Sequence, residues 1–85
     1  MKVTVVGGSG VVGSSTAYRL AQDGKVDEIV LFDVRQNLAE AHALDIEQAV
    51  VHRSTTQVRA GGAEETAGSD VVFVTASVPK RDVEI

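Results

Sequence analysis

The feature that most constrains this chain is a glycine turn set between an apolar run and a helical stretch. Val3-Thr4-Val5-Val6 leads into Gly7-Gly8-Ser9-Gly10-Val11-Val12-Gly13, and a second apolar run, Ile29-Val30-Leu31-Phe32, ends on Asp33. Strand, glycine turn, helix, strand and acid in that order form the pattern that binds dinucleotides. Gly8 and Gly10 allow a tight turn and let bare backbone approach a pyrophosphate. Gly13 lets the helix lie close to the sheet. The helix start, from Val11 and Val12, offers N–H groups and partial positive charge to phosphate. Asp33 stands twenty residues past Gly13, where a carboxylate accepts hydrogen bonds from a ribose 2′-hydroxyl and disfavours a 2′-phosphate. That makes NAD rather than NADP the expected cofactor, although Arg35 partly offsets the preference. The competing reading is a glycine turn that serves packing alone; the acid at the end of the second strand argues against it.

The chain has 85 residues, enough for one domain at most. Aromatics make up 4% of it, so the core has to come from Val, Ala, Leu and Ile, which suits a parallel sheet under small-residue helices. Acidic residues outnumber basic ones twelve to eight, for a net charge of −4. With no basic stripe, nucleic acid is not an expected partner. The absence of cysteine excludes a disulfide framework, a Cys-based zinc site and thiol chemistry. No metal site is expected. The sequence opens directly into a strand, without a leader pattern, and no apolar run reaches membrane-spanning length. The expectation is a cytoplasmic protein without a membrane partner.

Along the chain, Val11 to Asp23 reads as a helix with Val12, Thr16, Leu20 and Ala21 on one side, and Gly24 stands where a helix end favours a left-handed residue. The hydroxyls of Ser14, Ser15 and Thr16 are open to two roles, phosphate contact and local capping. A second helix is predicted over Leu38 to Val51. Leu38, Ala39, Ala43, Ile46, Ala49 and Val50 give it a core face, while Ala41, Leu44 and Val51 give it a second apolar patch. Thr55 to Ala60 reads as a less apolar strand near a sheet edge. Ala63 to Ser69 is a turn with one helical turn at Glu64-Glu65. Asp70 to Thr75 reads as a buried fourth strand. The order predicts the first half of a Rossmann-type, doubly wound α/β parallel sheet, strand order 3-2-1-4. The glycine turn and Thr75-Ala76-Ser77 then face each other at strand carboxyl ends.

The residues resemble those of the lactate/malate dehydrogenase family over nearly the whole chain. Asp27 to Asp33 is similar to that family's second strand, and Ala39-Glu40-Ala41-His42-Ala43-Leu44-Asp45-Ile46 to its next helix. Gly68 to Ala76 with Val78-Pro79 resembles its fourth strand and the start of its active-site loop. The Gly-Gly-Ser-Gly spelling is closer to the malate enzymes. The resemblance implies that Gly7, Gly8, Ser9, Gly10, Val11, Val12 and Gly13 hold the NAD pyrophosphate, that Asp33 holds the adenosine ribose, and that Thr75, Ala76 and Ser77 lie along the cofactor. Where Ser77 stands the family usually has Gly. The helix around Ala41 to Leu44 is implied to meet a second subunit, in a homodimer or homotetramer.

The loop after Pro79 departs from the family. Its Arg-Lys-Pro-Gly-Met run is replaced by Lys80-Arg81-Asp82-Val83-Glu84-Ile85. Lys80 standing for the first loop arginine, Arg81 standing for the second, and a solvated charged tail are all open. The family's catalytic His-Asp pair belongs to a later substrate domain. The expectation is therefore an incomplete NAD-binding domain over residues 1–85, without catalytic residues of its own and inactive alone, belonging to a parent NAD-dependent, malate dehydrogenase-like enzyme. His42 and His52 have no acid partner at the crevice and are not catalytic candidates. A competing enzyme reading is an extended short-chain dehydrogenase or sugar-nucleotide epimerase, which shares the glycine spelling but relies on a Tyr-x-x-x-Lys pair that Tyr18 and Gln22 do not supply. A truncated, non-catalytic cofactor-binding fragment is the reading from another class.

Overall fold

The computed structural model describes residues 1–75. In chain order the elements are β1 (Lys2–Val6), α1 (Val11–Asp23), β2 (Glu28–Phe32), α2 (Gln36–Val50), β3 (Gln57–Ala60), a 3-10 helix (Ala63–Gly68) and β4 (Val71–Val74). All neighbouring strands pair parallel, in the order β3-β2-β1-β4. This is the expected half of a doubly wound sheet.

The register explains the core. Val3 pairs with Ile29, Val5 with Leu31, and Ile29 with Val58, so these residues share one face, because alternate strand residues do. Ala17 and Ala21 of α1 and Ala39, Ala43, Ile46 and Val50 of α2 pack against them. The α1 face agrees with the expected one at Ala21, which is buried, and at Leu20, which packs half-buried against the core, and differs elsewhere. Its buried residues are Gly13, Ala17 and Ala21, whereas Val12 is 64% exposed. Small residues win this face because they allow the helix axis to approach the sheet, and a bulkier Val-Thr stripe would hold it off. In α2, Leu38 and Ala49 also lie outside the buried face, and Leu44 and Val51 are exposed as the second patch.

The opposite face is built differently. Thr4 and Val30 are fully buried there, and the 3-10 helix runs across it. Lys2 Nζ meets Glu65 Oε1 at 2.5 Å, and Arg59 bridges Glu28 and Glu65. The Thr4 and Ser69 hydroxyls are hydrogen-bonded to each other. β4 carries the composition of a buried strand, yet Val71, Val72, Phe73 and Val74 are all exposed. Among the described residues it pairs only with β1, and α1 and α2 lie over the other strands; apolar composition alone does not report which strand has cover.

Candidate functional site

The site begins where β1 stops. Gly7 has φ 85°, a left-handed conformation that residues with a Cβ adopt rarely. Its N–H and that of Gly8 both donate to Phe32 O, at 2.8 and 3.2 Å, which hangs the turn on the exit of β2. The Gly10 N–H donates to Gly7 O at 3.0 Å and closes the turn. The left-handed residue of the turn is thus Gly7. Gly8 answers to packing: a Cβ there would lie 2.7 Å from Leu31 Cβ. At Gly13 a Cβ would lie 2.2 Å from Gly7 O and 2.7 Å from Thr75 Oγ1, so helix, turn and β4 exit converge on it. Gly10 is the exception. Among the described residues a Cβ there would meet only Gly7 O, at 3.4 Å, so the backbone at Gly10 is left open.

The start of α1 suits an anion. Gly10 is its N-cap and makes no side-chain cap bond, and the first turn contains no acidic residue. Among the described residues the N–H groups of Val11, Val12 and Gly13 have no backbone acceptor. Ser14 N–H and its hydroxyl both donate to Gly10 O, at 2.9 and 2.7 Å, so the Ser14 side chain caps locally. Thr16 likewise donates to Val12 O. The Ser9 hydroxyl oxygen is buried without a hydrogen-bond partner among the described residues. Free N–H groups at the helix start, beside a buried Ser9 hydroxyl, fit the pyrophosphate of a dinucleotide.

Asp33 sits beside this loop at the end of β2, 7% exposed. Its Oδ2 accepts from Ser9 N–H at 3.2 Å; its Oδ1 accepts from Arg35 N–H at 3.0 Å and Arg35 Nε at 3.3 Å. Burial pushes the carboxyl up, but the hydrogen bonds from Ser9 and Arg35 outweigh it and hold it at about 2. The carboxylate is therefore ionised at neutral pH and can accept further hydrogen bonds. Thr75 closes the third side. Its N–H and hydroxyl both donate to Val6 O, at 2.9 and 2.8 Å, which ties the β4 exit to the β1 exit. Turn, acid and Thr75 thus meet at strand carboxyl ends, where doubly wound sheets bind ligands.

A family model described as lactate/malate dehydrogenase, NAD binding domain, matches residues 1–84. The chain belongs to that family. Curated relatives carry both names. A malate dehydrogenase of Haloarcula marismortui is 40% identical over 94% of this chain and 27% of the relative. An L-lactate dehydrogenase of Treponema denticola is 45% identical over 98% of this chain and 26% of the relative. Among solved structures, the minor L-lactate dehydrogenase of Enterococcus mundtii superposes with a TM-score of 0.84 at 38% identity, covering 92% of this chain and 25% of that one. The chain thus spans about a quarter of the length of the relatives it matches. The family match leaves the epimerase reading without support.

Of the residues singled out from sequence, the dehydrogenase fold brings together Gly7 to Gly13, Asp33 and Thr75. Ala76, Ser77, Lys80 and Arg81 lie outside the described residues. His42 is half-buried in a groove of about 530 Å³ between α1 and α2, which it shares with Tyr18, Asp45 and Ile46. His52 is exposed just past α2. Among the described residues no cluster of His, Asp and Glu has the makings of a metal site, and no helix is long and apolar enough to cross a membrane. Sequence reasoning missed the contact of Ser9 N–H with Asp33 and the clamp of Thr75 on Val6. The first had no signal, since it depends on how far the turn folds back; the second was readable only as a hydroxyl at a strand end.

Proposed function

We propose that this chain is the NAD-binding part of a malate- or lactate-type 2-hydroxy acid dehydrogenase, with the substrate domain supplied by a longer parent protein. The observation that carries the reading is the single crevice formed by the glycine turn, the ionised Asp33 and Thr75. Gly10 leaves the approach to the backbone open, and the N–H groups of Val11, Val12 and Gly13 receive the pyrophosphate. Asp33 takes the adenosine ribose hydroxyls. Bound NAD supplies the hydride acceptor, and NADH the donor, for a 2-hydroxy/2-oxo acid pair. Thr75 fixes the wall between β1 and β4, and Ala76 and Ser77 are cofactor-contact candidates on the strength of the family resemblance alone. Lys80 in place of the family's first loop arginine, or Arg81 in place of the second, is the candidate contribution of the chain to substrate binding.

The parent acts in the cytoplasm as a homodimer or homotetramer, and the exposed patch of Leu44 and Val51 on α2, beside Ala41, supports a subunit contact there. The Gly-Gly-Ser-Gly spelling favours malate as the substrate. A general base for the hydroxyl proton is not among His42 and His52, since neither stands at the strand carboxyl ends. The test is a fluorescence titration of the chain with NADH, paired with an assay of oxaloacetate and pyruvate reduction. The expected result is saturable NADH binding without turnover. Absence of NADH binding by the folded chain would overturn the cofactor reading, and NADH-dependent reduction would overturn its non-catalytic status.

A further inference from the structure

Among the described residues β3 is one open edge of the sheet, yet its outer rim is not bare. Gln57 N–H donates to Asp27 O and Gly61 N–H to Leu31 O, both on the β2 side. In a strand the N–H and C=O of one residue point the same way, and those of the next point oppositely. Thr56, Val58 and Ala60 therefore turn theirs outward. Two of these three N–H groups are already taken by side chains. Thr56 N–H donates to Ser54 Oγ at 3.0 Å, and Val58 N–H donates to Glu47 Oε2 at 3.2 Å.

The two caps differ in kind. Ser54 lies two residues before Thr56, so its bond shapes the entry to the strand. Glu47 comes from α2, eleven residues away, and reaches round the rim. Val58 needs no such tether, since it is 4% exposed, packs in the core and is held in register opposite Ile29. The Glu47 side chain is half-buried and makes no ion pair with Lys or Arg among the described residues. A strand laid on this rim has to push the carboxylate off Val58 or cover it unpaired. Covering an unpaired charge is costly, which is how natural sheets keep an edge from pairing.

Without that charge the rim suits a second copy of this chain. Two β3 strands laid antiparallel about Val58 exchange both hydrogen bonds between the two Val58 residues. Gln57 of one copy then stands opposite Arg59 of the other, so no like charges oppose each other. The rim also adjoins apolar surface. Leu44 and Val51, both exposed, border a groove of about 530 Å³ that Thr56 and Gln57 complete.

We propose that Glu47 guards the β3 edge, its carboxylate occupying the Val58 N–H so that this rim does not pair with β3 of a second copy. The inference is independent of the nucleotide reading. The test is sedimentation equilibrium of the unaltered chain, Glu47→Ala and Glu47→Gln, with amide hydrogen exchange at low and high protein concentration to locate the contact. Glu47→Ala should raise the self-association constant at least about tenfold, the scale of one hydrogen bond to a charged group. The gain should bring new protection to the N–H groups of Thr56, Val58 and Ala60. Glu47→Gln keeps an acceptor without the charge and should raise the constant by a smaller factor, still more than twofold. Circular dichroism establishes that each variant is folded. A constant unchanged within twofold in folded Glu47→Ala overturns the proposal and leaves Glu47 a tether between α2 and β3. A gain whose new protection falls on Val71 to Val74 overturns it as well. If Glu47→Ala does not fold, Glu47→Gln decides by the same two criteria.

Discussion

Asp33 stands at the carboxyl end of β2, and Glu65 lies near the amino ends of β1 and β2, where Lys2 and Glu28 begin the strands. Both carboxyls are held at about 2. For Glu65 the main cause is hydrogen bonding from Arg59, then from Lys2. Those partners come from β3 and β1, so the carboxylate staples the 3-10 helix across the sheet, and its two oxygens are taken up by cations. Asp33 works against burial with hydrogen bonds from two neighbours, Ser9 first and then Arg35. A depressed carboxyl does not by itself mark a ligand site. What distinguishes the two is whether the donors leave an oxygen free and whether that oxygen faces a cleft.

If that difference is real, the carboxyl ends of the strands should be the region where small changes cost the most function. Gly13→Val is expected to be the most damaging substitution, because its Cβ would overlap Gly7 O and Thr75 Oγ1 at 2.2 and 2.7 Å. Overpacking of this kind costs about 1–3 kcal/mol or more, and NADH binding should be lost with it. Gly10→Ala separates function from folding, because only Gly7 O, at 3.4 Å, is near its Cβ. Its urea midpoint should correspond to a change of within about 1 kcal/mol, while NADH affinity falls at least tenfold. A Gly10→Ala protein that binds NADH normally would remove the open approach from the argument.

Asp33→Ser comes next. It removes the acceptor for the ribose hydroxyls and the repulsion of a 2′-phosphate together. The ratio of NADH to NADPH affinity should therefore fall by on the order of a hundredfold, the scale of one or two charged hydrogen bonds. No change in the ratio would take Asp33 out of the site. At the other end of the sheet, Glu65→Gln should lower the melting temperature and leave the NADH dissociation constant within twofold. A Glu65→Gln protein of lower nucleotide affinity but unchanged stability would erase the contrast between the two carboxylates.

How much of this was legible beforehand follows from the kind of signal each part carries. The turn, Asp33 and the strand order were readable because glycines, an acid and apolar runs at fixed spacing leave few alternatives for a chain of this length. The packing face of α1 was not, because Ala17 and Gly13 are weak hydrophobic signals whose value is closeness of approach. β4 was misread as buried because Val71 to Val74 report affinity for cover rather than its presence. The network of Lys2, Arg59, Glu28 and Glu65 joins residues far apart in sequence, so only the register of the strands brings it together.

Acid titration gives the smallest and most discriminating contrast. The folded-state values for Asp33 and Glu65 are about 2, below the ordinary 3.8 and 4.5. The unfolded chain therefore takes up protons at these two sites before the folded chain does. Their stabilisation is present in full above about pH 4.5 and is lost as pH falls toward 2, so stability should decline with falling pH across that window. Glu65→Gln and Asp33→Asn should each flatten the decline when stability is measured by urea melts from pH 5 to pH 2.5. Salt then tells them apart. The Glu65 contribution is made by side-chain cations and should weaken in high salt, whereas that of Asp33, made largely by uncharged donors of Ser9 and the Arg35 backbone, should persist. Equal salt sensitivity in the two variants would mean that Asp33 is held chiefly by the Arg35 charge, and its carboxylate would then be far less ready to receive a ribose.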